Sequence, residues 1–441
     1  MPRRRLRWEQ SRSGGESMSE NKFINASPEE VSEQDIIYDW NNLDAIAKPK
    51  QKVAFYDETL RDGIQSPSVV DPPVEEKIRL LHLMDELGIE YLNVGLPGAG
   101  PRAVSDCREL VREIRDAKLS IKPTCAARTV RADIEPIVDI SQELGVPVEV
   151  MAFIGSSSIR FYAENWDMKR MLKLSSDAMK LARDNGLPAC YVTEDTTRAH
   201  PDILRALFTN AIEHGAQRLC LCDTVGHATP DGVRCLIRWT QRLINKLGAE
   251  VELDWHGHND RGLALENALW AAEYGASRIH GTALGIGERV GNAAIDQILL
   301  NMKLLGWIDK DLTKLVLYVK TAAAATRVPI PFNYPLVGGD AFRTATGVHA
   351  AAVIKAQKRG DDFLADRIYS GVPASMFGKK QEIAIGHMSG ESNVIYWLKE
   401  NHVDPDRDLV ERIFNEAKTI NRLLTEDEIW QVINEYRSES A

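Results

Sequence analysis

Several features that would indicate other classes of protein are missing from this 441-residue chain. It contains no run of about 18 apolar residues, so a membrane-spanning helix is not expected. Its 54 basic residues are outnumbered by 64 acidic ones, and the net charge of −10 disfavours binding to a nucleic-acid backbone. What remains is a chain of ordinary hydrophobic content, 44%, long enough for one large domain and a smaller one.

Cysteine is scarce, and its spacing excludes the usual disulfide and zinc frameworks. The six cysteines form no CxxC pair, and the basic head MPRRRLRW lacks the apolar stretch of a secretory signal. We therefore expect free, buried thiols in a protein of the reducing cytoplasm. The polar residues after the head predict a disordered leader over 1–30, and only this basic head favours nucleic-acid binding.

A repeated strand and helix pattern extends from about residue 53 to residue 306. Eight short apolar or β-branched runs each precede a segment of helical periodicity that ends at glycine. The glycines expected in the left-handed C-cap conformation are Gly88, Gly145, Gly186, Gly215, Gly248 and Gly275. Eight such units over about 250 residues predict an α/β fold, a closed (β/α)8 TIM barrel. The absence of GxGxxG after the first run disfavours an open dinucleotide-binding sheet.

After the barrel pattern, taken as residues 50–325, the sequence predicts a small and mostly helical C-terminal appendage. Prolines indicate a linker and a first subdomain over 326–385. Amphipathic segments then predict a second, helical subdomain over 386–441, packed on the barrel or on a partner subunit. We expect no further regulatory domain.

Polar motifs stand where the predicted strands end, which is where TIM barrels place their catalytic groups. The stretch DWHGHNDRG sets His256 and His258 two residues apart on a strand, so both imidazoles face one side. One inward histidine would more often be a core residue, but the pair favours a metal ion. Asp62 and Asn292 can bind the same ion as the two histidines, because barrel closure makes the first and eighth strands neighbours. These ligand types suit Mg²⁺, Mn²⁺, Zn²⁺ or Co²⁺.

Two more residues at strand ends have the chemistry of an active site. Arg61 can stabilise negative charge that develops on a metal-bound oxygen, although it could also be an ordinary surface arginine. Glu194 can act as an acid or a base, or it can merely cap the next helix.

Together, the blocks DETLRDGIQ, DTVGHATP, HGHNDRGLALENAL and GTALGIGERVGN resemble the Claisen-condensing branch of the DRE-TIM metallolyase superfamily. This branch contains the 2-isopropylmalate, homocitrate and citramalate synthases. In the tail, FRTATGVHAAAV and YSGVPASMFG resemble family segments with a catalytic histidine and a catalytic tyrosine that reach the neighbouring subunit. The resemblance implies a homodimer that condenses acetyl-CoA with a 2-oxo acid on a divalent metal ion.

The resemblance also implies roles for individual residues. The metal ligands would be Asp62, His256 and His258, with Asn292 as a weaker ligand. Proton transfer would fall to Glu194, His349 and Tyr369, with His349 as the base, and Arg61 would stabilise the alkoxide. The substrate-binding residues would be Arg61, Gln65, Thr224, Arg128 and Arg160. Arg160 could bind a distal carboxylate, or it could instead be solvated or contact coenzyme A.

Departures from the family narrow these expectations. Ile64 replaces the glutamate of the DGEQ motif that isopropylmalate synthases have at this place. The stretch GHMSGESN corresponds only loosely to their GKHSGR block. Asp62, where homocitrate synthases often have glutamate, favours an apolar or small 2-oxo acid. The product expected is therefore like 2-isopropylmalate, and homocitrate, citramalate or benzylmalate-type synthases are the alternatives. Without a regulatory domain, we expect no inhibition by leucine.

Two alternatives of another class stay open. A carbon–carbon lyase similar to hydroxymethylglutaryl-CoA lyase would use the same metal site but would not need the blocks around His349 and Tyr369. A non-catalytic paralogue would lose Arg61, Glu194 or His349, and all three are present.

Overall fold

The computed structural model describes residues 27, 36–42 and 48–440. Eight parallel strands close into a barrel in sequence order, and the last strand pairs with the first. They are β1 Ala54–Asp57, β2 Tyr91–Gly95, β3 Lys122–Arg128, β4 Glu149–Gly155, β5 Ala189–Glu194, β6 Arg218–Asp223, β7 Glu252–Gly257 and β8 Arg278–Gly281. The predicted TIM barrel is confirmed. The predicted leader lies outside the described residues apart from Ser27.

Helices surround the barrel and connect its strands. They are α1 Val74–Glu86, α2 Pro101–Asp116, α3 Arg131–Leu144, α4 Ser158–Glu164, α5 Met168–Asp184, α6 Pro201–Glu213, α7 Pro230–Leu247, α8 Ala264–Tyr274 and α9 Ile295–Leu304. All six glycines predicted at helix ends have positive φ, between 63° and 118°. Glycine adopts this conformation without strain, so the chain turns from each helix into the next strand within a few residues.

Strand alternation divides the side chains of the barrel into two layers. On β7, Leu253 and Trp255 are buried in the apolar core shared with the helices. The intervening Asp254 and His256 therefore point into the barrel interior. There Asp254 receives hydrogen bonds from the guanidinium groups of Arg218 and Arg278, each 2.7 Å long. The interior thus combines paired charges with a small apolar cluster around Tyr56 and Met151, and pairing is the condition for burying the charges.

The C-terminal segment adds six helices and a small parallel pair of strands. These elements are α10 Leu315–Thr326, β9 Arg343–Thr344, α11 Gly347–Lys358, α12 Asp362–Arg367, β10 Glu382–Ile383, α13 Glu391–Glu400, α14 Arg407–Thr419 and α15 Glu426–Ser440. Phe342 and Phe377 pack into the core of the barrel. The last three helices share a separate core that includes Leu398, Ile413 and Ile433.

The cysteines and the helix lengths bear on two expectations from composition. All six cysteines are free, as predicted, but Cys235 on α7 is exposed, so the expectation that every thiol is buried was wrong. Within the described residues, no helix is both long enough and apolar enough to cross a membrane.

Candidate active site and metal centre

Asp62, His256 and His258 meet at the carboxyl ends of the strands. Asp62 lies in the loop after β1, and His258 directly follows β7. Oδ2 of Asp62 is 3.5 Å from Nε2 of His258 and 4.0 Å from Nε2 of His256. Ligand atoms about 2.0–2.2 Å from one ion lie about 3–4 Å apart, so these separations fit a shared divalent cation.

An unsatisfied polar atom beside this cluster supports the same conclusion. Nδ2 of Asn292 donates to Oδ2 of Asp62 at 2.7 Å and to the carbonyl of Ile286 at 3.0 Å. Its Oδ1 is buried and has no hydrogen-bond partner among the described residues. Because buried polar atoms normally have partners, a free amide oxygen beside a carboxylate and two imidazoles fits a metal ion.

Arg61 lies against the cluster and is largely buried. Its guanidinium donates to Oδ1 of Asp62 at 2.7 Å and pairs with the carboxylate of Glu58. Burial opposes ionisation of Asp62, but Arg61 and His256 together hold the pKa of its carboxyl below the ordinary value. Asp62 is therefore a carboxylate, the form that binds metal, across the physiological range.

The two histidines differ in their protonation. Burial works against a charge on His256, but the Glu58 carboxylate raises the pKa of its imidazole to about 9. Burial lowers the pKa of His258 to about 4, and the charge on His256 acts in the same direction. His258 is thus a neutral ligand at pH 7, whereas an incoming cation must displace a proton from His256.

A cavity of about 320 Å³ opens above the cluster at the barrel mouth. Its lining includes the predicted metal ligands Asp62, His256 and His258 and a set of apolar side chains, the apolar wall. The apolar residues are Leu96, Ala126, Met151, Phe153 and Val192. A larger cavity of about 530 Å³ between α6 and α7 contains none of the predicted site residues.

Most of the predicted substrate-binding residues lie at this cavity. Arg61, Gln65, Thr224 and Glu194 line it. Oγ1 of Thr224 accepts a 2.8 Å hydrogen bond from the backbone N–H of Asp195, which holds the threonine in place. Nε of Arg160, on α4, lies 3.7 Å from Oε1 of Glu194.

Arg128, His349 and Tyr369 do not line this cavity. Arg128 makes two 2.8 Å hydrogen bonds to the carboxylate of Asp133 and is largely exposed, so its binding role stays a prediction. His349 on α11 and Tyr369 after α12 stack on each other, with ring centroids 4.1 Å apart. Tyr369 is 48% exposed, and neither ring lines the cavity of its own chain.

Three residues of the site were missed by sequence reasoning. Glu58 and His280 are buried beneath His256, and Arg289 lines the cavity. Arg289 donates to the carbonyl of Thr224 at 2.7 Å and to the carboxylate of Asp260. Each of the three lies inside a motif or a strand run that the sequence singles out, but the direction of its side chain depends on tertiary structure.

The fold and the cluster define a TIM-barrel enzyme with a divalent-metal centre at the carboxyl ends of its strands. The HMGL-like family profile matches residues 52–322, more than half of the chain. Homocitrate synthase AksA of Methanopyrus kandleri is 31% identical over 373 residues, covering 84% of this chain and 88% of the relative. The 2-isopropylmalate synthase of Sulfolobus acidocaldarius is 29% identical over 373 residues, covering 84% and 91%.

The chain belongs to the HMGL-like family and, within it, to the alkylmalate synthases of the DRE-TIM metallolyases. The resemblance inferred from the sequence motifs is confirmed. A crystal structure of Bacillus subtilis HMG-CoA lyase has 21% identity and a TM-score of 0.53, and the match covers 65% of this chain and 97% of that one. At this identity the likeness shows the shared barrel fold.

Proposed function

We propose that this enzyme condenses acetyl-CoA with a 2-oxo acid that has an apolar side chain, releasing CoA and a 2-alkylmalate-type product. The observation that supports this most directly is a cavity whose lining includes both the Asp62, His256 and His258 cluster and the apolar wall. Relatives are named as homocitrate, citramalate and 2-isopropylmalate synthases. The homocitrate, citramalate and isopropylmalate products differ in the side chain of the 2-oxo acid. The residues that contact this side chain would therefore select the substrate, and we assign that role to the apolar wall.

Asp62, His256 and His258 would hold the divalent cation, with Oδ1 of Asn292 beside them. When bound, this cation supplies Lewis-acid polarisation of the keto group. Ligand types alone leave Mg²⁺, Mn²⁺, Zn²⁺ and Co²⁺ as candidates.

Arg61 would stabilise the oxygen that becomes an alkoxide. Its guanidinium is fixed by Glu58 and Asp62, so it needs no reorganisation as negative charge develops. Its Nε is buried without a hydrogen-bond partner among the described residues. Gln65 and Thr224, on the lining of the same cavity, can donate to the 2-oxo acid carboxylate.

The reaction requires two proton transfers and one hydrolysis. A base removes a methyl proton of acetyl-CoA, and the resulting carbanion forms a bond to the 2-oxo carbon. The keto oxygen then takes up a proton, and water cleaves the thioester to release CoA. Glu194 lies in the cavity for one of these transfers, and we assign the base to His349, supported by Tyr369.

Because His349 and Tyr369 do not line the cavity of their own chain, we propose that they act in the cavity of a second subunit. The protein would then be a homodimer, and we place it in the cytoplasm. In this arrangement the segment 326–385 contributes the proton-transfer residues, and the barrel contributes the metal ligands.

The apolar wall favours a 2-oxo acid without a second carboxylate. Two arginines line the cavity, and both are paired: Arg61 with Glu58 and Asp62, and Arg289 with Asp260. Among the lining residues that the structure describes, no unpaired cation faces the wall, so a distal carboxylate would lose its hydration without compensation.

A thiol-release assay tests this proposal. Acetyl-CoA is offered with 2-oxoisovalerate, pyruvate, phenylpyruvate, 2-oxoglutarate or oxaloacetate, with and without EDTA. We expect CoA release with the apolar acids, slower release with the two dicarboxylic acids, and none after chelation. Arg61→Gln should abolish release, whereas Arg131→Gln, an exposed arginine on α3, should not. No release with any of the five acids would contradict the proposal.

A further inference from the structure

Glu58 is a buried carboxylate that lines the same cavity and contacts the predicted ligand His256. It follows β1 and is 2% exposed. Its Oε2 lies 2.5 Å from Nδ1 of His256 and 3.2 Å from Nδ1 of His280, and its Oε1 pairs with Arg61. A carboxylate is expensive to bury unless its oxygens are paired, and the three partners of Glu58 provide that pairing.

A further set of buried groups holds Glu58 from below. Nε2 of His280 is 3.1 Å from Oδ2 of Asp254. Asp254 is in turn fixed by Arg218 and Arg278, and Arg278 also pairs with Glu149. The position of Glu58 is therefore set by a continuous chain of hydrogen bonds that crosses the barrel interior.

Two groups of side chains around His256 could each surround a cation. In the first group, Glu58 already hydrogen-bonds to His256 and His280 through the atoms that would be ligands. In the second group, formed by Asp62, His256 and His258, Nε2 of His256 lies 4.0 Å from Asp62, too far for a hydrogen bond. The second group is therefore open for an ion, and the first is closed.

The contact with Glu58 determines which nitrogen of His256 is available. A neutral imidazole has one N–H, and the hydrogen bond at one nitrogen sets the state of the other. In the neutral imidazole of the metal-bound state, donation of Nδ1–H to Glu58 leaves the lone pair on Nε2, which faces the ion position. The carboxylate also makes the imidazole a stronger ligand.

We propose that Glu58 is a positioning residue for the metal centre: it orients His256, fixes its tautomer and is not itself a ligand. His280 supports it by holding the same carboxylate oxygen from the opposite side. This inference rests on the metal-dependent function proposed above, and it assigns a role to a residue outside the predicted ligand set.

The test is Mn²⁺ binding to the purified protein, measured from the electron paramagnetic resonance signal of free Mn²⁺. Glu58→Gln keeps the shape of the side chain, but one terminal atom becomes a donor, so the amide cannot accept from both histidines and Arg61. We expect Mn²⁺ affinity to fall about 10- to 100-fold. Glu194→Gln is the matched control, because Glu194 lines the cavity without contacting His256, and its Mn²⁺ affinity should equal that of the wild type.

Two results for Glu58→Gln would overturn the inference. Unchanged Mn²⁺ affinity would show that Glu58 does not position His256. A loss as complete as that of Asp62→Asn would show that Glu58 is a ligand. If the wild type itself bound no Mn²⁺, the metal centre of the proposed function would fail, and this inference would fail with it.

Activity at high Mn²⁺ provides a second readout that a merely structural defect would not produce. Saturating Mn²⁺ should restore most of the turnover of Glu58→Gln but none of that of Asp62→Asn. If circular dichroism shows that Glu58→Gln does not fold, His280→Gln takes its place. That variant retains Glu58, so its loss of Mn²⁺ affinity should be smaller than the loss expected for Glu58→Gln. Unchanged Mn²⁺ affinity in His280→Gln would count against the inference.

Discussion

The barrel and the C-terminal segment place their reactive side chains in opposite environments. At the barrel mouth, Glu58, Asp62 and His256 are buried, and each is held by ionic partners. In the C-terminal segment, His349 and Tyr369 stack on each other at the surface. The proposed metal centre therefore has its geometry within one chain, whereas the proposed proton-transfer pair would need a second surface to define its position relative to a substrate.

The cores of the two regions differ in the same sense. The barrel core is one continuous cluster that includes strands, surrounding helices and the first part of the tail, down to Phe377. The last three helices pack around a small core of their own. Changes in the distal helices should therefore leave the metal centre intact, and changes at the metal centre should leave those helices folded.

Asp62→Asn should have the largest effect, because it removes a charged ligand from the centre of the barrel site. We expect CoA release to fall roughly 1000-fold or more, since a Lewis-acid metal supplies several kcal/mol of stabilisation. The measurement is thiol release at saturating acetyl-CoA, combined with Mn²⁺ binding. A variant that retained full turnover would place the metal elsewhere.

His349→Ala should reduce turnover roughly 100-fold, the usual contribution of a general acid or base. Because His349 is remote from the ligands of its own chain, Mn²⁺ affinity should not change. Thiol release and Mn²⁺ titration on the same preparation separate the two effects. Intact turnover would refute the assignment of His349 as the base.

Ile413→Ala probes the distal core. Ile413 is completely buried, so we expect a loss of about 2–4 kcal/mol in the stability of the last three helices, seen by thermal or urea unfolding. Leu317→Ala is the control, since this leucine is 48% exposed and its loss should cost less than about 0.5 kcal/mol. A matching loss of Mn²⁺ affinity in Ile413→Ala would contradict the independence of the two cores.

The smallest effect concerns pH and Asp296 in the barrel. Burial raises the pKa of its carboxyl from 3.8 to about 6, although it accepts hydrogen bonds from the backbone of Leu284 and from Tyr334. Protonation therefore favours the folded state: this stabilisation is complete below about pH 4 and is lost as the pH rises through 6. The loss is at most about 3 kcal/mol, at about 1.4 kcal/mol per pKa unit.

Urea unfolding of the wild type and Asp296→Asn between pH 4.5 and 8 measures this contribution. As the pH rises, the free energy of unfolding of Asp296→Asn should increase relative to that of the wild type. A difference independent of pH would show that Asp296 does not titrate in this range.

Local patterns were sufficient to predict the strands and the cluster of Asp62, His256 and His258. Each strand is a short apolar run between helices that end at glycine, and such signals do not depend on distant contacts. The spacing of His256 and His258 places both rings on one face of β7, and barrel closure brings Asp62 to them.

Side-chain direction in the loops was not accessible in the same way. Glu58 and Asp62 follow the same strand, yet Glu58 turns beneath His256 because His280 and Arg61 receive it there. Arg128 ends a barrel strand but bonds to Asp133 five residues later, away from the cavity. Both outcomes depend on partners that the strand pattern does not specify.

A heterodimer of Asp62→Asn and His349→Ala subunits, isolated through two different affinity tags, shows whether one active site takes residues from both subunits. Each parent variant has no complete site, but the heterodimer would combine one intact metal centre with one intact His349 and Tyr369 pair. We expect roughly half of the wild-type CoA release per dimer, because one of the two symmetric sites is restored. Activity no higher than that of the two parents would contradict this expectation.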